Sequence, residues 1–288
     1  MPRLVVRIAA FAALAVTAAC ASTVAPRAVT PLDHLPALAG GYFPLHSRAV
    51  GHPYHIYVRL PDGYAAEPGR RYPIVYVLDG DSLFPIIAPT HLFLTIDDKL
   101  PEAIVVGIAY GSFAKPVNRR HIDFMPPAAG VAPGDSGTVQ FQRFMESELI
   151  PAVERRYRAD PARRILFGQS RAGAMVLYSA FTKPDLFWAH VASNPSWAPG
   201  RERIYGPPPR SARDDLRLVI ASGTNEIPER RAEALKWSAY WQNQPFKPWV
   251  VKRLDVPDGT HSAYGGDAYR AAIRWLFADG AAASNPAR

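Results

Sequence analysis

A chain of 288 residues with 48% hydrophobic and 20% charged residues reads as an ordinary globular protein with material for one large core. The formal net charge is +8, but the arginines are scattered, without a Lys/Arg block or interleaved aromatics, so the charge reads as a solvated basic surface and excludes a nucleic-acid interface. A single cysteine, Cys20, excludes an intrachain disulfide.

The chain opens on "MPRLVVRIAAFAALAVTAACAS", in which Arg3 and Arg7 precede an apolar segment ending in small residues. That is the layout of a secretory signal over residues 1–21, and an exported protein is expected. Cys20 sits where a bacterial lipoprotein would be processed and lipidated, although Thr17 stands where leucine is usual. Two outcomes stay open: a membrane tether through Cys20, or cleavage after Ala21 and loss of the cysteine. No later apolar run approaches the roughly 20 residues that span a bilayer. Residues 22–45, rich in Ala, Pro and Thr, read as a linker, residues 46–280 as the domain and 281–288 as a tail.

Strands come next. "HIYVRLP" (His55 to Pro61) alternates with period two, as a half-buried strand does. "YPIVYVLDG" (Tyr72 to Gly80), "AIVVGIAY" (Ala103 to Tyr110), "RILFG" (Arg164 to Gly168), "HVASN" (His190 to Asn194) and "LRLVIASG" (Leu216 to Gly223) are continuously apolar, the mark of strands buried on both faces, and "PWVVKRLD" (Pro248 to Asp255) adds one more. Helical spacing appears in "TVQFQRFMESELIPAVERRY", with Glu146 and Glu148 on polar positions, and in "DAYRAAIRWLFAD". Strands alternating with helices predict an α/β fold, a mainly parallel sheet covered on both faces. Pro- and Gly-rich stretches at Met125 to Asp135 and Pro199 to Asp215 read as loops at the ligand-binding rim.

"GQSRAG" places Ser170 between small residues where a buried strand meets a helix. Such a turn exposes a serine hydroxyl at the carboxyl edge of the sheet, and a GxSx(small) string there is a candidate nucleophile. The hydroxyl needs an imidazole to take its proton, and the imidazole needs an acid. Of the histidines after Ser170, His190 lies in a predicted strand and reads as packed, whereas His261 lies in a polar turn before the last helix and is the candidate base. Glu226, close after a strand, is the preferred acid, with Glu229, Asp255 and Asp258 as competitors. The backbone N–H of Arg171 and that of Gly80 or Asp81 are candidate oxyanion donors. Arg171 itself could attract an anionic ester or pair with a structural carboxylate. His52 and His55 fall on one strand without ligand spacing, and no phosphate loop is present, so neither metal nor organic cofactor is expected.

From about Arg48 to Phe277 the chain resembles the putative esterase branch of the α/β-hydrolases, the group that holds esterase D and the enterochelin and related siderophore esterases. The resemblance rests on ordered pieces: "IYVRLPDGY", "YPIVYVLDGDSLF", "IVVGIAY", "RRHIDFMPP", "FMESELIPAVERRYRADPARRILFGQSRAG", "PDLFWAHVASNPSW" and "GTHSAY". It implies an α/β-hydrolase fold and a serine esterase acting on a small-molecule ester, with Ser170 as nucleophile, His261 as base and Glu226 at the acidic position. It also implies that Arg120 and Asp123 of "RHIDFMP" shape the substrate site as substrate-binding residues; Arg171 is a candidate for the same role on its charge alone. Ala172, Gln169 and Arg171 depart from the family's pattern around the serine. Acyl transfer to an alcohol, or a binding protein that kept the fold without the chemistry, are the alternative readings.

Overall fold

The β-rich runs assemble into one eight-stranded sheet in a computed structural model that describes residues 34–197 and 199–283. The strands are β1 Gly40–Ser47, β2 His52–Arg59, β3 Tyr72–Val77, β4 Ile104–Ala109, β5 Ala159–Gln169, β6 Ala189–Ser193, β7 Leu216–Gly223 and β8 Trp249–Val256, in the spatial order β1-β2-β4-β3-β5-β6-β7-β8. β2 runs antiparallel to β1 and β4, and every other neighbouring pair is parallel. The helices are α1 Gly80–Asp97, α2 Arg120–Asp123, α3 Thr138–Phe144, α4 Ile150–Arg156, α5 Arg171–Thr182, α6 Arg201–Ile204, α7 Pro228–Gln242 and α8 Gly265–Ala283, and a π-turn, Met145–Leu149, joins α3 to α4. The described residues fall within one unit, Leu32–Arg288, and the predicted signal with Cys20 lies outside them.

Alternation along the central strands feeds two apolar layers. Ile74 and Tyr76 of β3 and Leu166 of β5 join α3, α5 and α7 on one face, with Phe141, Phe144, Trp237 and Trp241 fully covered. Val75 and Val77 of β3 and Ile165 and Phe167 of β5 join α1 and α8 on the other, against Phe84, Ile87, Tyr269 and Ile273. Each such side chain contributes about 1.5–3 kcal/mol on leaving water. Both buried indoles of α7 donate to the Ile204 carbonyl, Trp237 at 2.9 Å and Trp241 at 2.7 Å, which anchors α6 inside the predicted loop from Pro199 to Asp215.

Two boundaries differ from expectation. The last residues of the predicted linker form β1, an edge strand whose Pro44 is tolerated because an edge leaves one side of the backbone unpaired. Gly40 is required there, since a Cβ would stand 1.9 Å from the Val58 carbonyl oxygen. α8 continues to Ala283, into the predicted tail.

Two histidines are interred as neutral rings. His91 Nδ1 meets the Tyr269 hydroxyl at 2.8 Å and Nε2 the Pro101 carbonyl at 3.1 Å, so Nε2 carries the proton. His190, at 3.3 Å from Ser179 Oγ, is the packed residue its strand position suggested. Burial pushes His91 down to about 4 and His190 down to about 3. Below about pH 6.5 the unfolded chain takes protons that these folded rings refuse, so their contribution is complete above that pH and lost as pH falls. The free energy of unfolding should drop by up to about 1.4 kcal/mol per pH unit for each ring, beginning between about pH 6.5 and 5, above the ordinary carboxylate range. Urea titrations across that window measure it, and a flat profile would show that the folded rings take up protons as readily as the unfolded ones.

Candidate active site

Ser170 follows directly on β5, and its φ of 58° and ψ of −117° lie outside the conformations L-residues ordinarily adopt. Such a conformation costs on the order of 1–3 kcal/mol and is held by its surroundings. Ser170 N–H donates to the Ser193 carbonyl at 2.9 Å, and its own carbonyl accepts from Ser196 and Ala174. The small neighbours are steric requirements: a Cβ on Gly168 would stand 2.5 Å from the Ala172 carbonyl oxygen, and one on Gly173 would stand 2.9 Å from Pro195 Cα. Ala172, the family departure, is buried there without disturbing the turn.

Opposite the serine, the loop after β8 carries His261. A Cβ on Gly223 would stand 2.1 Å from the Gly259 carbonyl oxygen, so the loops after β7 and β8 can lie together only because both positions are glycine. Asn194 Nδ2 donates to the Thr260 carbonyl at 3.1 Å, and Gln169 Nε2 donates to the carbonyls of His261 at 2.7 Å and Ser262 at 3.1 Å. Gln169, which the sequence marks only as a departure beside the serine, therefore ties the histidine loop to the end of β5.

The result is a chain of three side chains. His261 Nε2 lies 2.9 Å from Ser170 Oγ, and His261 Nδ1 lies 2.8 Å from Glu226 Oε2. The Glu226 side chain is 1% exposed, and its Oε1 accepts from Ile227 N–H at 2.7 Å. A carboxylate facing Nδ1 holds the proton there and leaves the Nε2 lone pair toward the hydroxyl. Of the competing acids, Asp255 pairs with Arg231 at 3.0 Å and Arg253 at 3.1 Å, while Glu229 and Asp258 are exposed; none of the three meets the imidazole.

Ser170 and His261 open on a cavity of about 280 Å³ lined also by Asp79, Asp81, Phe113 and Arg120. Arg120 reaches it, but its Nε and Nη2 are both spent on Asp79, each at 2.9 Å. Burial pushes the Asp79 carboxyl up, against the pull of that guanidinium. Arg171 N–H belongs to the first turn of α5 and those of Gly80 and Asp81 to the first turn of α1, positions without an intrahelical acceptor. Asp81 lines the serine's cavity. Gly80 does not, and packs instead against β4, where a Cβ would stand 2.7 Å from Ile108 N.

Asp123 is a correction. It is fully buried away from the cavity, accepting from the Tyr54 hydroxyl at 2.7 Å and the Tyr110 hydroxyl at 3.1 Å, with Arg119 Nε at 3.5 Å. Burial raises its carboxyl, and it fastens the α2 segment to β2 and β4 without lining the serine's cavity. The Arg171 side chain is exposed, outside the cavity lining and without an ion pair among the described residues. Asp79, Gln169 and Arg230 were not legible as site residues. Arg230 Nη1 lies 2.7 Å from His261 Nε2 and 3.0 Å from Nδ1, a proximity that spacing along the chain does not signal. Among the described residues no group of three or more His, Cys, Asp or Glu side chains could hold a metal ion.

The strand order, the antiparallel β2 and a serine on a strained strand-to-helix turn define an α/β-hydrolase fold. The chain belongs to the family described as "Putative esterase", which residues 47–278 match. It is 33% identical over 168 residues to the ferri-bacillibactin esterase BesA of Bacillus subtilis (strain 168), over 53% of this chain and 56% of that protein. It is 32% identical over 152 residues to the siderophore triacetylfusarinine C esterase of Aspergillus fumigatus, over 51% and 52% respectively. The chain thus spans about half the length of these curated relatives. Among solved structures, the BES protein from Bacillus cereus superimposes with a TM-score of 0.71 at 21% identity, covering 82% of this chain and 95% of that one. The IroE-like serine hydrolase from Shewanella oneidensis does so with a TM-score of 0.71 at 24% identity, covering 83% and 80%. At these identities the likeness is one of fold.

Proposed function

We propose that the protein is an exported serine carboxylic-ester hydrolase that works through an acyl-enzyme on Ser170. The observation that carries this reading is the continuous contact from the Glu226 carboxylate through both nitrogens of His261 to the Ser170 hydroxyl. Ser170 Oγ adds to the ester carbonyl carbon as its proton passes to His261 Nε2, and the amides of Arg171 and Asp81 receive the developing oxyanion. When the tetrahedral centre collapses, the ester C–O bond breaks and the imidazolium returns the proton to the departing alkoxide. Water then repeats the sequence on the acyl-enzyme, leaving a carboxylic acid and the free serine. Each step uses groups of this chain and water alone.

Siderophore-like esters are the proposed substrates, because the curated relatives are named for esters of that class. Export rests on the basic and apolar start of the chain, with a lipid on Cys20 as the proposed tether. Intact-mass analysis of the mature protein reads the latter directly: a diacylglyceryl-modified Cys20 supports it, and a chain starting at Ser22 removes it.

A fluorophosphonate probe should label Ser170, and turnover should appear with p-nitrophenyl esters and a siderophore trilactone. Labelling with transfer to an added alcohol and no free acid would make the protein an acyltransferase. Neither labelling nor turnover would make it a binding protein.

A further inference from the structure

Arg230, in the first turn of α7, lies against the imidazole of His261. Its Nη1 is 3.0 Å from Nδ1 and 2.7 Å from Nε2. One nitrogen so close to both cannot lie in the ring plane without striking Cε1 between them, so it stands out of that plane, within hydrogen-bond distance of both ring nitrogens. Among the described residues no carboxylate forms an ion pair with Arg230, although the next residue, Arg231, pairs with Asp255 at 3.0 Å. The Glu226 oxygens face His261 Nδ1 and Ile227 N–H. The Arg230 backbone is held, its carbonyl accepting from the Trp197 indole at 3.2 Å, so any change of position belongs to the side chain.

A guanidinium against a neutral imidazole is a favourable resting contact and an unfavourable one during reaction. When His261 takes the serine's proton the ring becomes a cation, and two like charges at contact distance oppose each other. Attack by Ser170 is therefore resisted for as long as Arg230 keeps its charge uncompensated. A negative group on the substrate removes the resistance, by neutralising the guanidinium in place or by drawing it off the ring. Arg171, exposed next to the nucleophile and without an ion pair among the described residues, adds positive potential beside Ser170, whereas Arg120 is committed to Asp79.

We infer that Arg230 is a specificity-determining residue that couples turnover to a negative charge on the ester, an inference that rests on the esterase reading above. Because the coupling acts on the protonated state of His261, it should appear in kcat as well as in KM.

The test compares the mono-p-nitrophenyl ester of adipic acid with p-nitrophenyl hexanoate, which share leaving group and acyl length and differ in charge. The folded enzyme should turn over the anionic ester about tenfold faster in kcat, a preference that weakens with added salt. Arg230→Gln should bring the ratio toward one, partly by raising kcat for hexanoate, an increase that loss of packing alone would not produce. Arg230→Lys should restore part of the preference. An unchanged ratio in a folded Arg230→Gln variant overturns the role of Arg230 and leaves the esterase reading intact. Failure of the parent enzyme to hydrolyse either ester or the siderophore trilactone, together with no fluorophosphonate labelling of Ser170, removes both.

Discussion

Ser170→Ala should lower kcat for ester hydrolysis by on the order of 10⁶, the scale seen when the nucleophile of a hydroxyl–imidazole–carboxylate site is removed. The loss is large because the replacement deletes the atom that forms the acyl bond and leaves His261 Nε2 without the proton donor now 2.9 Å away. The amides in the first turns of α1 and α5 survive, so a residual rate of roughly 10³–10⁴ over water is compatible with the mechanism. Alanine does not relieve the backbone, since a φ of 58° is as awkward for alanine as for serine, and the folded structure should persist. Stopped ester assays on a variant whose unfolding midpoint matches the parent, together with loss of fluorophosphonate labelling, check it. A fall of less than about a hundredfold would sink the acyl-enzyme reading, because no other route through this site makes the serine dispensable.

Much of this arrangement was legible in the sequence for one physical reason: burial leaves a compositional trace. β3, β4, β6 and β7 are covered on both faces and read as unbroken apolar runs, and the strand, serine and small-residue order at 164–173 follows from the space the turn leaves. α1 was not predicted because Pro85 and Pro89 are helix-breaking signals; packing of Leu83, Phe84, Ile87 and Leu94 against the sheet overrides them. β1 was hidden by Gly40, Gly41 and Pro44, residues that suit an edge but carry no strand propensity. The acid is ambiguous because Glu226, Glu229, Asp255 and Asp258 all follow β7 before His261, and only folding decides which one faces Nδ1. Asp123 differs for a related reason: the resemblance places it at the substrate site with its neighbour Arg120, yet two tyrosine hydroxyls from β2 and the residue after β4 converge on it. Arg230 and Gln169 act on His261 across separations of 31 and 92 residues, which no local pattern reports.

Glu226→Gln should lower kcat by on the order of 10⁴ while leaving KM nearly unchanged, because it alters which ring nitrogen carries the proton and little else. The present carboxylate accepts from Ile227 N–H through Oε1 and from His261 Nδ1 through Oε2. An amide in the same place would keep its oxygen toward the Ile227 N–H and turn its NH₂ toward Nδ1. Nδ1 must then accept, which moves the ring proton to Nε2, and a protonated Nε2 cannot take the proton of Ser170. The side chain is 1% exposed, so water has little access to restore the original tautomer. Glu226→Asp provides the contrast, since it keeps the charge but withdraws it by one methylene, and about 10–100-fold is the expected loss where position alone is disturbed. The order Asp above Gln separates an electrostatic and tautomeric role from a packing role, for which the closer isostere, Gln, would be the milder change. Parallel kcat and fluorophosphonate labelling rates for the two variants decide it, and Gln outperforming Asp in both would remove Glu226 as the acid of the site.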